Sequence, residues 1–157
     1  MIDSKKDKVW PMTSYGTVIK DSGKLYFVNR KGEIVIQPGD YDAGEMDKFN
    51  GLLALKDNSS DKWGVFDVST GKQVVSFKYD SISFAGTDRL VVVKDHVKNL
   101  INMSTGKSLY SAQTEATIEP FNSDTVTWVH TGKEGYTIID NNGHILFRDT
   151  NKLIEDA

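Results

Sequence analysis

The chain has 157 residues, of which 38% are hydrophobic and 26% are charged, a composition typical of one folded, globular domain rather than a disordered chain. Its 19 Lys and Arg residues nearly balance 22 Asp and Glu residues, so it lacks the basic surplus expected of a nucleic-acid-binding protein. Cysteine is absent, which excludes disulfides, thiolate catalysis and Cys-ligated zinc.

Apolar runs in the sequence are short. Runs such as Leu52–Leu55 and Leu90–Val93 end after four residues, so no membrane insertion is expected. The first residues, Met1–Lys6, lack the apolar stretch of a signal peptide. No histidine-based metal motif or phosphate-binding glycine loop occurs, and we expect neither a metal nor a cofactor.

A turn built on Asn or Asp and a following Gly recurs along the sequence. The turns are Asn29–Gly32, Asp67–Gly71, Asn102–Gly106 and Asp140–Gly143. The turns recur about every 37 residues, a period typical of arrays of one supersecondary unit. The Asx side chain accepts a backbone hydrogen bond, and Gly adopts the left-handed conformation that a hairpin turn requires. Each turn carries at most one carboxylate, too few for an EF-type calcium loop.

Each repeat contains three short runs of β-branched and aromatic residues, which predicts three antiparallel strands and almost no helix. The predicted strands in chain order are Thr17–Ile19, Phe27–Val28 and Ile34–Ile36; Leu52–Leu55, Val65–Phe66 and Val74–Val75; Leu90–Val93, Leu100–Ile101 and Leu109–Tyr110; and Val126–Val129, Ile138–Ile139 and Ile145–Phe147. A looser segment that ends on an aromatic residue completes each repeat. The single domain therefore divides into an N-terminal extension or closing segment and four repeats, at residues 1–14 and at about 15–50, 51–88, 89–124 and 125–157.

Neighbouring residues within the predicted strands are often both apolar. Val65 with Phe66 and Leu100 with Ile101 are examples. Because adjacent residues in a strand point to opposite faces of the sheet, both faces of each small sheet need burial. A sandwich buries one face of each sheet, whereas stacked sheets bury both. We therefore expect an all-β fold of four three-stranded sheets, stacked as a propeller-like or superhelical array.

The second repeat resembles the bacterial WG (or KWG) repeat. Its segments Lys62–Asp67, Thr70–Lys72 and Lys78–Ile82, with Phe84 and Gly86, follow the pattern of a Trp-Gly pair, a Thr-Gly-Lys turn and closing aromatic residues. The resemblance implies a β-repeat architecture and an extracytoplasmic or cell-surface location. It implies no catalytic residues.

The other repeats match this pattern in spacing more than in residue type. The position of Trp63 is held elsewhere by Leu25, Lys98 and Tyr136, and that of Gly64 by Tyr26, Asn99 and Thr137. The repeat therefore predicts the architecture of the whole chain, although one repeat alone holds the Trp-Gly pair.

Three histidines are candidates for catalytic groups. His96 lies in a turn of repeat three, His130 at a strand end in repeat four, and His144 directly after a turn glycine. His96 with Asp95, or His130 with a nearby Ser or Asp, could assemble a nucleophilic site in three dimensions. Their polar neighbours favour exposed turn histidines instead, and no catalytic residue is assigned.

Trp10, Trp63 and Trp128 are candidates for a carbohydrate-stacking platform, because exposed aromatic faces bind sugars. Trp63 and Trp128 lie in strands with two apolar faces, which favours a place in the core between sheets. Trp10 lies beside Pro11 at the end of the array. The residues that we expect to contact a ligand are Trp10, Trp128 and His130.

Two functions are compatible with these patterns. The leading hypothesis is a non-catalytic recognition module that binds a protein, peptide or cell-envelope polymer through loops or the rim of the stack, since repeat arrays present extended surfaces. The alternative is a hydrolase-type enzyme with a site at one end of the array. A histidine and a carboxylate in a dry pocket would favour the enzyme, and an aromatic surface would favour the binder. We expect a monomer whose ligand is a protein or a carbohydrate and not nucleic acid.

The two ends of the chain suggest that the stack closes on itself. Val9–Met12 occupies the place of a closing aromatic segment, and repeat four ends near Leu153 and Ile154 without one. The N-terminal segment could complete repeat four, which would close a ring and hide both sheet edges. An open array is the alternative.

Overall fold

The computed structural model describes residues 8–121, 125–130 and 135–149, and the regular secondary structure in these ranges is entirely β. The strands are β1 (Lys8–Val9), β2 (Gly16–Asp21), β3 (Lys24–Asn29), β4 (Ile34–Gly39), β5 (Tyr41–Asp47), β6 (Leu52–Asp57), β7 (Lys62–Asp67), β8 (Gln73–Tyr79), β9 (Ser81–Gly86), β10 (Arg89–Lys94), β11 (Val97–Asn102), β12 (Ser108–Gln113), β13 (Thr117–Ile118), β14 (Val126–His130), β15 (Tyr136–Asp140) and β16 (Ile145–Asp149). The described residues include no helix with the length and hydropathy that crossing a bilayer requires.

The strands form four antiparallel sheets of four strands, and within each sheet the strands follow one another in chain order. We call them the first sheet (β1–β4), second sheet (β5–β8), third sheet (β9–β12) and fourth sheet (β13–β16). Each is a meander, in which every strand pairs with the strand before it and the strand after it. The predicted all-β fold of four tandem sheets is confirmed.

The prediction of three strands in each sheet is wrong, because each sheet begins with an additional strand. In the second and third sheets this strand is β5 or β9, and each comes from a segment that the sequence pattern places at the end of the preceding repeat. Strand β5 contains Gly44 and a register shift between Ala43 and Met46, so its apolar alternation is broken. Its strand conformation depends on pairing with β6, which local sequence does not reveal.

The first strand of the first sheet comes from the predicted N-terminal extension. Lys8 and Val9 pair with Lys20 and Ile19. The ring-closure hypothesis also depends on Leu153 and Ile154, which lie outside the described residues, and closure stays a prediction.

The four predicted Asx–Gly turns are present. In the first of them, the side-chain oxygen of Asn29 accepts hydrogen bonds from the backbone N–H of Lys31 (2.9 Å) and of Glu33 (3.0 Å). In the second, the N–H of Gly71 donates to the carbonyl oxygen of Asp67 at 2.7 Å. All four turn glycines have positive φ, between 76° and 85°, as the hairpin geometry requires.

The chain forms two compact units, which divide between Tyr79 and Asp80. In the first unit the first and second sheets share one core. Its buried members are Val18, Leu25, Phe27 and Ile36 from the first sheet and Leu53, Leu55, Phe66 and Val68 from the second sheet and its turn.

In the second unit the third and fourth sheets share a core. Its buried members are Ala85, Val91 and Leu100 from the third sheet and Ala116, Ile118, Phe121, Val129 and Ile139 from the fourth sheet and its flanking residues. Polar contacts join the same two sheets: Arg89 donates from Nε to the carbonyl oxygen of Asn141, and the N–H of Phe121 donates to that of Ala85 at 2.7 Å.

Candidate functional site

Strand β14 of the fourth sheet places alternate side chains in two environments. Thr127 and Val129 are buried, and Val129 packs in the core shared with the third sheet. Val126 and Trp128 point the other way, and 41% and 46% of their surfaces are exposed. His130 continues that exposed face, because side chains alternate along a strand. The strand therefore presents one face to the core and one to solvent.

The exposed face continues across three strands through cross-strand pairs. Trp128 of β14 lies opposite Ile138 of β15, and Ile138 lies opposite Phe147 of β16. Directly opposed residues lie on the same face of a sheet. Phe147 is 52% exposed and Ile138 is half-buried. We call such a set of three paired residues, centred two positions before the Asx of the turn, the central row of its sheet.

The central rows of the other sheets occupy the same register but are closed to solvent. These rows are Val18–Phe27–Ile36, Ala54–Val65–Val75 and Val91–Leu100–Tyr110. Apart from the half-buried Tyr110, every member is buried, with at most 7% of its surface exposed. Of the four rows, the row of the fourth sheet is the open one, and it holds two aromatic residues.

Three aromatic rings cluster at one side of this open row. The rings of Trp128 and His130 are stacked, with centroids 6.5 Å apart. Tyr136 meets both rings edge-on, at 5.8 Å from Trp128 and 4.8 Å from His130. Such tilted and edge-to-face pairs are the geometries that aromatic quadrupoles favour, so the three rings hold one another in place.

One charged group borders the cluster. A side-chain oxygen of Glu119 lies 3.6 Å from Nε2 of His130, and both side chains are more than a third exposed. An exposed pair of this kind is screened by water and contributes little to stability. We define the aromatic face as Val126, Trp128, His130, Tyr136, Ile138 and Phe147. It is a largely apolar surface with one acid–imidazole pair at its rim.

The structure brings together two of the three predicted ligand contacts, Trp128 and His130. The prediction that Trp128 lies in the core between sheets is wrong. The fourth sheet packs in the second unit's core through the opposite face, where Val129 and Ile139 lie. Trp128 therefore faces outward, although its strand carries apolar residues on both faces.

Trp10 and Trp63 lie in the first unit. Trp10 is half-buried, packs against the core of the first two sheets, and donates its backbone N–H to the carbonyl oxygen of Val18 at 3.0 Å. Trp63, predicted to be core, is half-buried, and its ring lies so close to Gly44 that a side chain there would overlap it. The structure places Trp10 in the first unit, apart in sequence from Trp128 and His130, and the ligand role predicted for Trp10 stays a prediction.

The two remaining histidines are exposed and lie at turns. His96 has a positive φ of 66° in the β10–β11 turn. Nδ1 of His144 lies 3.0 Å from Oδ2 of Asp140. Partial burial acts to raise the pKa of the Asp140 carboxyl, but hydrogen bonds from the backbone of His144 and Asn142 outweigh it and hold that pKa below its usual value. Among the residues that the structure describes, no group of three acidic or imidazole side chains could hold a metal ion.

Sequence reasoning missed Tyr136, Ile138 and Phe147 as members of the aromatic face. A usable signal existed for Tyr136, which occupies the position of Trp63 in the repeat. Counting back from the turn residue Asp140 also fixes Ile138 as the centre of its row. The sequence does not show that this row is exposed. The equivalent positions of the other three sheets are also apolar, and apart from the half-buried Tyr110 they are buried.

A comparison with protein families gives one match that repeats along the chain. The family described as WG containing repeat matches residues 27–59 and 63–95. Residues 27–95 therefore carry two WG repeats. The first matched segment runs from β3 to β6 and the second from β7 to β10, so each WG repeat joins the last two strands of one sheet to the first two strands of the next.

The solved structures similar to this WG-repeat chain share its fold at low sequence identity. Hsv2 from Kluyveromyces lactis matches over 93% of this chain and 53% of its own, with a TM-score of 0.55 and 11% identity. A eukaryotic initiation factor matches over 96% of this chain and 45% of its own, with a TM-score of 0.60 and 12% identity. This chain therefore spans about half the length of the structures it matches, which are β-propeller proteins. No curated protein matches the sequence.

The aromatic face lies outside the two matched WG segments, which end at residue 95. In the fourth sheet Tyr136 and Thr137 stand where the matched repeat has Trp63 and Gly64. The candidate site thus lies in a part of the chain that the family match does not cover, and the match assigns it no role.

Proposed function

We propose that this WG-repeat chain is a non-catalytic recognition module that binds a partner protein through the aromatic face of its fourth sheet. The observation that carries the proposal is the open central row, Trp128–Ile138–Phe147, in a register where the other sheets have closed rows. Contiguous exposed apolar surface on a folded protein marks an interaction site. Trp and Tyr are also the residue types that contribute most to binding energy at protein interfaces.

The kind of partner is inferred from the surfaces that pack against the equivalent central rows of the other sheets. In the first unit, Val18 and Phe27 of the first sheet share a core with Leu53 and Phe66 of the second sheet. In the second unit, Leu100 of the third sheet shares a core with residues of the fourth. In both units an apolar sheet face packs against the central row. The partner proposed for the fourth sheet therefore presents an apolar β-sheet face.

The alternatives to this function have less support in the geometry. A saccharide platform needs hydrogen-bonding groups along its aromatic rings, whereas here the Glu119–His130 pair lies at the rim and the rest of the face is largely hydrocarbon. A hydrolase needs its imidazole and carboxylate in a water-poor pocket, whereas His130 and Glu119 are both exposed at the rim. These observations favour a binder.

A photo-crosslinking experiment tests the proposal. A benzophenone amino acid replaces Val126 on the aromatic face. The control places it at Val97, a β-hairpin residue whose exposure of 42% matches the 41% of Val126. We expect a partner protein to crosslink through position 126 and not through position 97. The purified partner should then bind the wild-type chain in calorimetry and bind Trp128→Ser or Phe147→Ser at least tenfold more weakly, a loss of about 1.4 kcal/mol. The matched variant Val97→Ser should bind like wild type.

Three results would contradict the proposal. They are equal crosslinking at the two positions, unchanged affinity of Trp128→Ser, and turnover of hydrolase substrates that is lost when His130 is replaced. Binding of the chain to a glycan array that depends on Trp128 would replace the protein partner with a polymer. Thermal unfolding of each variant controls for folding.

A further inference from the structure

A second candidate site lies in the first unit, away from the aromatic face in sequence and in chemistry. A cavity of about 440 Å³ opens there between the first and second sheets. Its lining includes Lys8, Trp10, Lys20, Asp42, Lys56 and Trp63. Its floor includes Leu25, which is fully buried. Two indole rings and three ammonium groups thus line one cleft, which we call the tryptophan cleft.

The charges that line the tryptophan cleft do not cancel. Asp42 is its one acidic group, and its oxygen lies 3.2 Å from Nζ of Lys20. The hydrogen bond from Lys20 holds the pKa of the Asp42 carboxyl below its usual value, so Asp42 stays charged. Lys56 lies 2.7 Å from Asp61, which is not part of the lining. Lys20 and Lys56 are thus each paired with a carboxylate, and Lys8 adds one further positive charge to the lining, which favours an anionic ligand.

Lys8 is the cation most available to a ligand. Its Nζ lies 4.5 Å from the centroid of the Trp10 ring, a cation–π contact. At an exposed site such a contact is weak, so an anionic group that also approaches the ring can recruit Lys8 without a large cost. Because the ammonium lies over the ring, a ligand that stacks on Trp10 displaces Lys8 to the side, where Lys8 can pair with an anionic group of that ligand.

The two tryptophans are held in place by the unit itself. Trp10 packs against the core of the first two sheets, and its backbone N–H donates to the carbonyl oxygen of Val18 at 3.0 Å. Trp63 lies against the backbone of β5 at Gly44, where the absence of a side chain makes room for the ring. Rings that are fixed before a ligand arrives lose little side-chain entropy on binding.

We propose that the tryptophan cleft binds a sugar unit that carries an anionic group. The flat C–H face of a sugar ring packs on indole, as apolar surface packs on an aromatic face. The anionic group pairs with Lys8 and Lys20. Asp42, fixed as a carboxylate, accepts hydrogen bonds from ring hydroxyls. The indole rings distinguish this site from one for a bare anion, because inorganic phosphate has no apolar face to pack on them.

Calorimetric titration of the full chain with defined probes tests the proposal. The acidic probes are trigalacturonic acid, which carries carboxylates, and glucose 6-phosphate, which carries a phosphate. Comparing the two shows which anionic group the cleft prefers. The neutral probe is maltotriose, and inorganic phosphate is the anion without a sugar. We expect at least one acidic sugar to bind tenfold more tightly than both maltotriose and inorganic phosphate, and its affinity to fall as salt rises.

Matched variants locate the binding. Lys8→Gln should weaken the acidic sugar at least fivefold, whereas Lys24→Gln, which removes the same charge from an exposed position outside the lining, should leave it unchanged. Trp10→Leu should reduce both the affinity for the sugar and the quenching of tryptophan fluorescence by it, and thermal unfolding checks that this variant folds. Trp128→Ser should bind the sugar like wild type. A negative result for sugar binding in the cleft is therefore separate from a negative result for protein binding at the aromatic face.

The proposal is overturned by any of three outcomes: no binding of either acidic sugar at millimolar concentration, equal binding of acidic and neutral sugars, or equal effects of Lys8→Gln and Lys24→Gln. Tighter binding of inorganic phosphate than of the sugars would also overturn it, because the cleft would then recognise charge alone.

Discussion

The second and fourth sheets use the same register of residues in opposite ways. The second sheet has small side chains in its central row, Ala54, Val65 and Val75, and all three are buried. The fourth sheet has Trp128, Ile138 and Phe147 in those positions, and its two aromatic residues are about half exposed. The same meander can therefore have a closed central row or an open one, and the open row carries the larger, aromatic side chains.

The two sheets agree in how each packs on the sheet before it. In the second sheet, a Cβ added to Gly71 would overlap the carbonyl oxygen of Val35 in the first sheet. In the fourth sheet, a Cβ added to Gly143 would overlap the carbonyl oxygen of Leu109 in the third. This repeated contact shows that the two units are built by the same packing rule. The two sheets differ in the exposure of the faces that carry their central rows.

The largest expected effect separates a closed row from the open one. Phe27→Ala removes a fully buried ring from the row of the first sheet and should cost about 3–5 kcal/mol of unfolding free energy. Phe147→Ala makes the same chemical change in the open row and should cost less than about 1 kcal/mol. Urea denaturation of both variants measures the difference. Equal losses would mean that the fourth row is covered in solution.

Alanine at the turn glycines tests the shared packing rule. Every one of these glycines has positive φ, so alanine at Gly32 or Gly106, where space is open, should cost about 1 kcal/mol. Alanine at Gly71 or Gly143 must also displace a backbone carbonyl and should cost about 1–3 kcal/mol more. Denaturant midpoints of the four variants should fall into these two pairs. Four equal values would refute the sheet-to-sheet contact.

A smaller effect comes from a turn that differs between the two units. Ser22 and Gly23 make the β2–β3 turn of the first unit with positive φ at both positions. In the β10–β11 turn these positions are Asp95 and His96, also with positive φ. A left-handed residue other than Gly is strained, so His96→Gly should raise the unfolding free energy by about 0.5–1 kcal/mol. Lys94→Gly, just outside the turn centre, is the control and should not stabilise.

The smallest effect is a pH dependence at the turn of the fourth sheet. Because the pKa of Asp140 is lowered in the folded state, its charge contributes stability above the unfolded pKa of about 3.9, and this contribution disappears as pH falls through the folded pKa. Asp140→Asn should therefore be less stable than wild type at pH 6, and the gap should close toward pH 2. The first-unit turn, which has Asn29 at this position, supplies the matched control Asn29→Asp. A gap that stays constant with pH would show that the Asp140 charge contributes nothing.

Local chemistry in the sequence determined the repeat, the strands and the turns. Asn29 and Asp67 mark their hairpins because an Asx oxygen accepts backbone hydrogen bonds within a few residues, and Gly71 adopts a conformation that other residues avoid. Paired apolar neighbours such as Val65 and Phe66 predicted sheets buried on both faces, and both residues are buried. These interactions span short distances along the chain, so a single sequence displays them.

The tertiary structure alone decided which strand belongs to which sheet and which face stays open. Segment β5 forms a strand because it pairs with β6. Its own residues lack the regular apolar–polar alternation that predicts a strand. Trp128 has apolar neighbours in its strand, as buried residues do, yet it is exposed because burial of a sheet face depends on what packs against it. The tryptophan cleft likewise joins Lys8 and Trp63, far apart in sequence, through the packing of two sheets. Pairing and burial are relations between distant segments, and no local pattern encodes them.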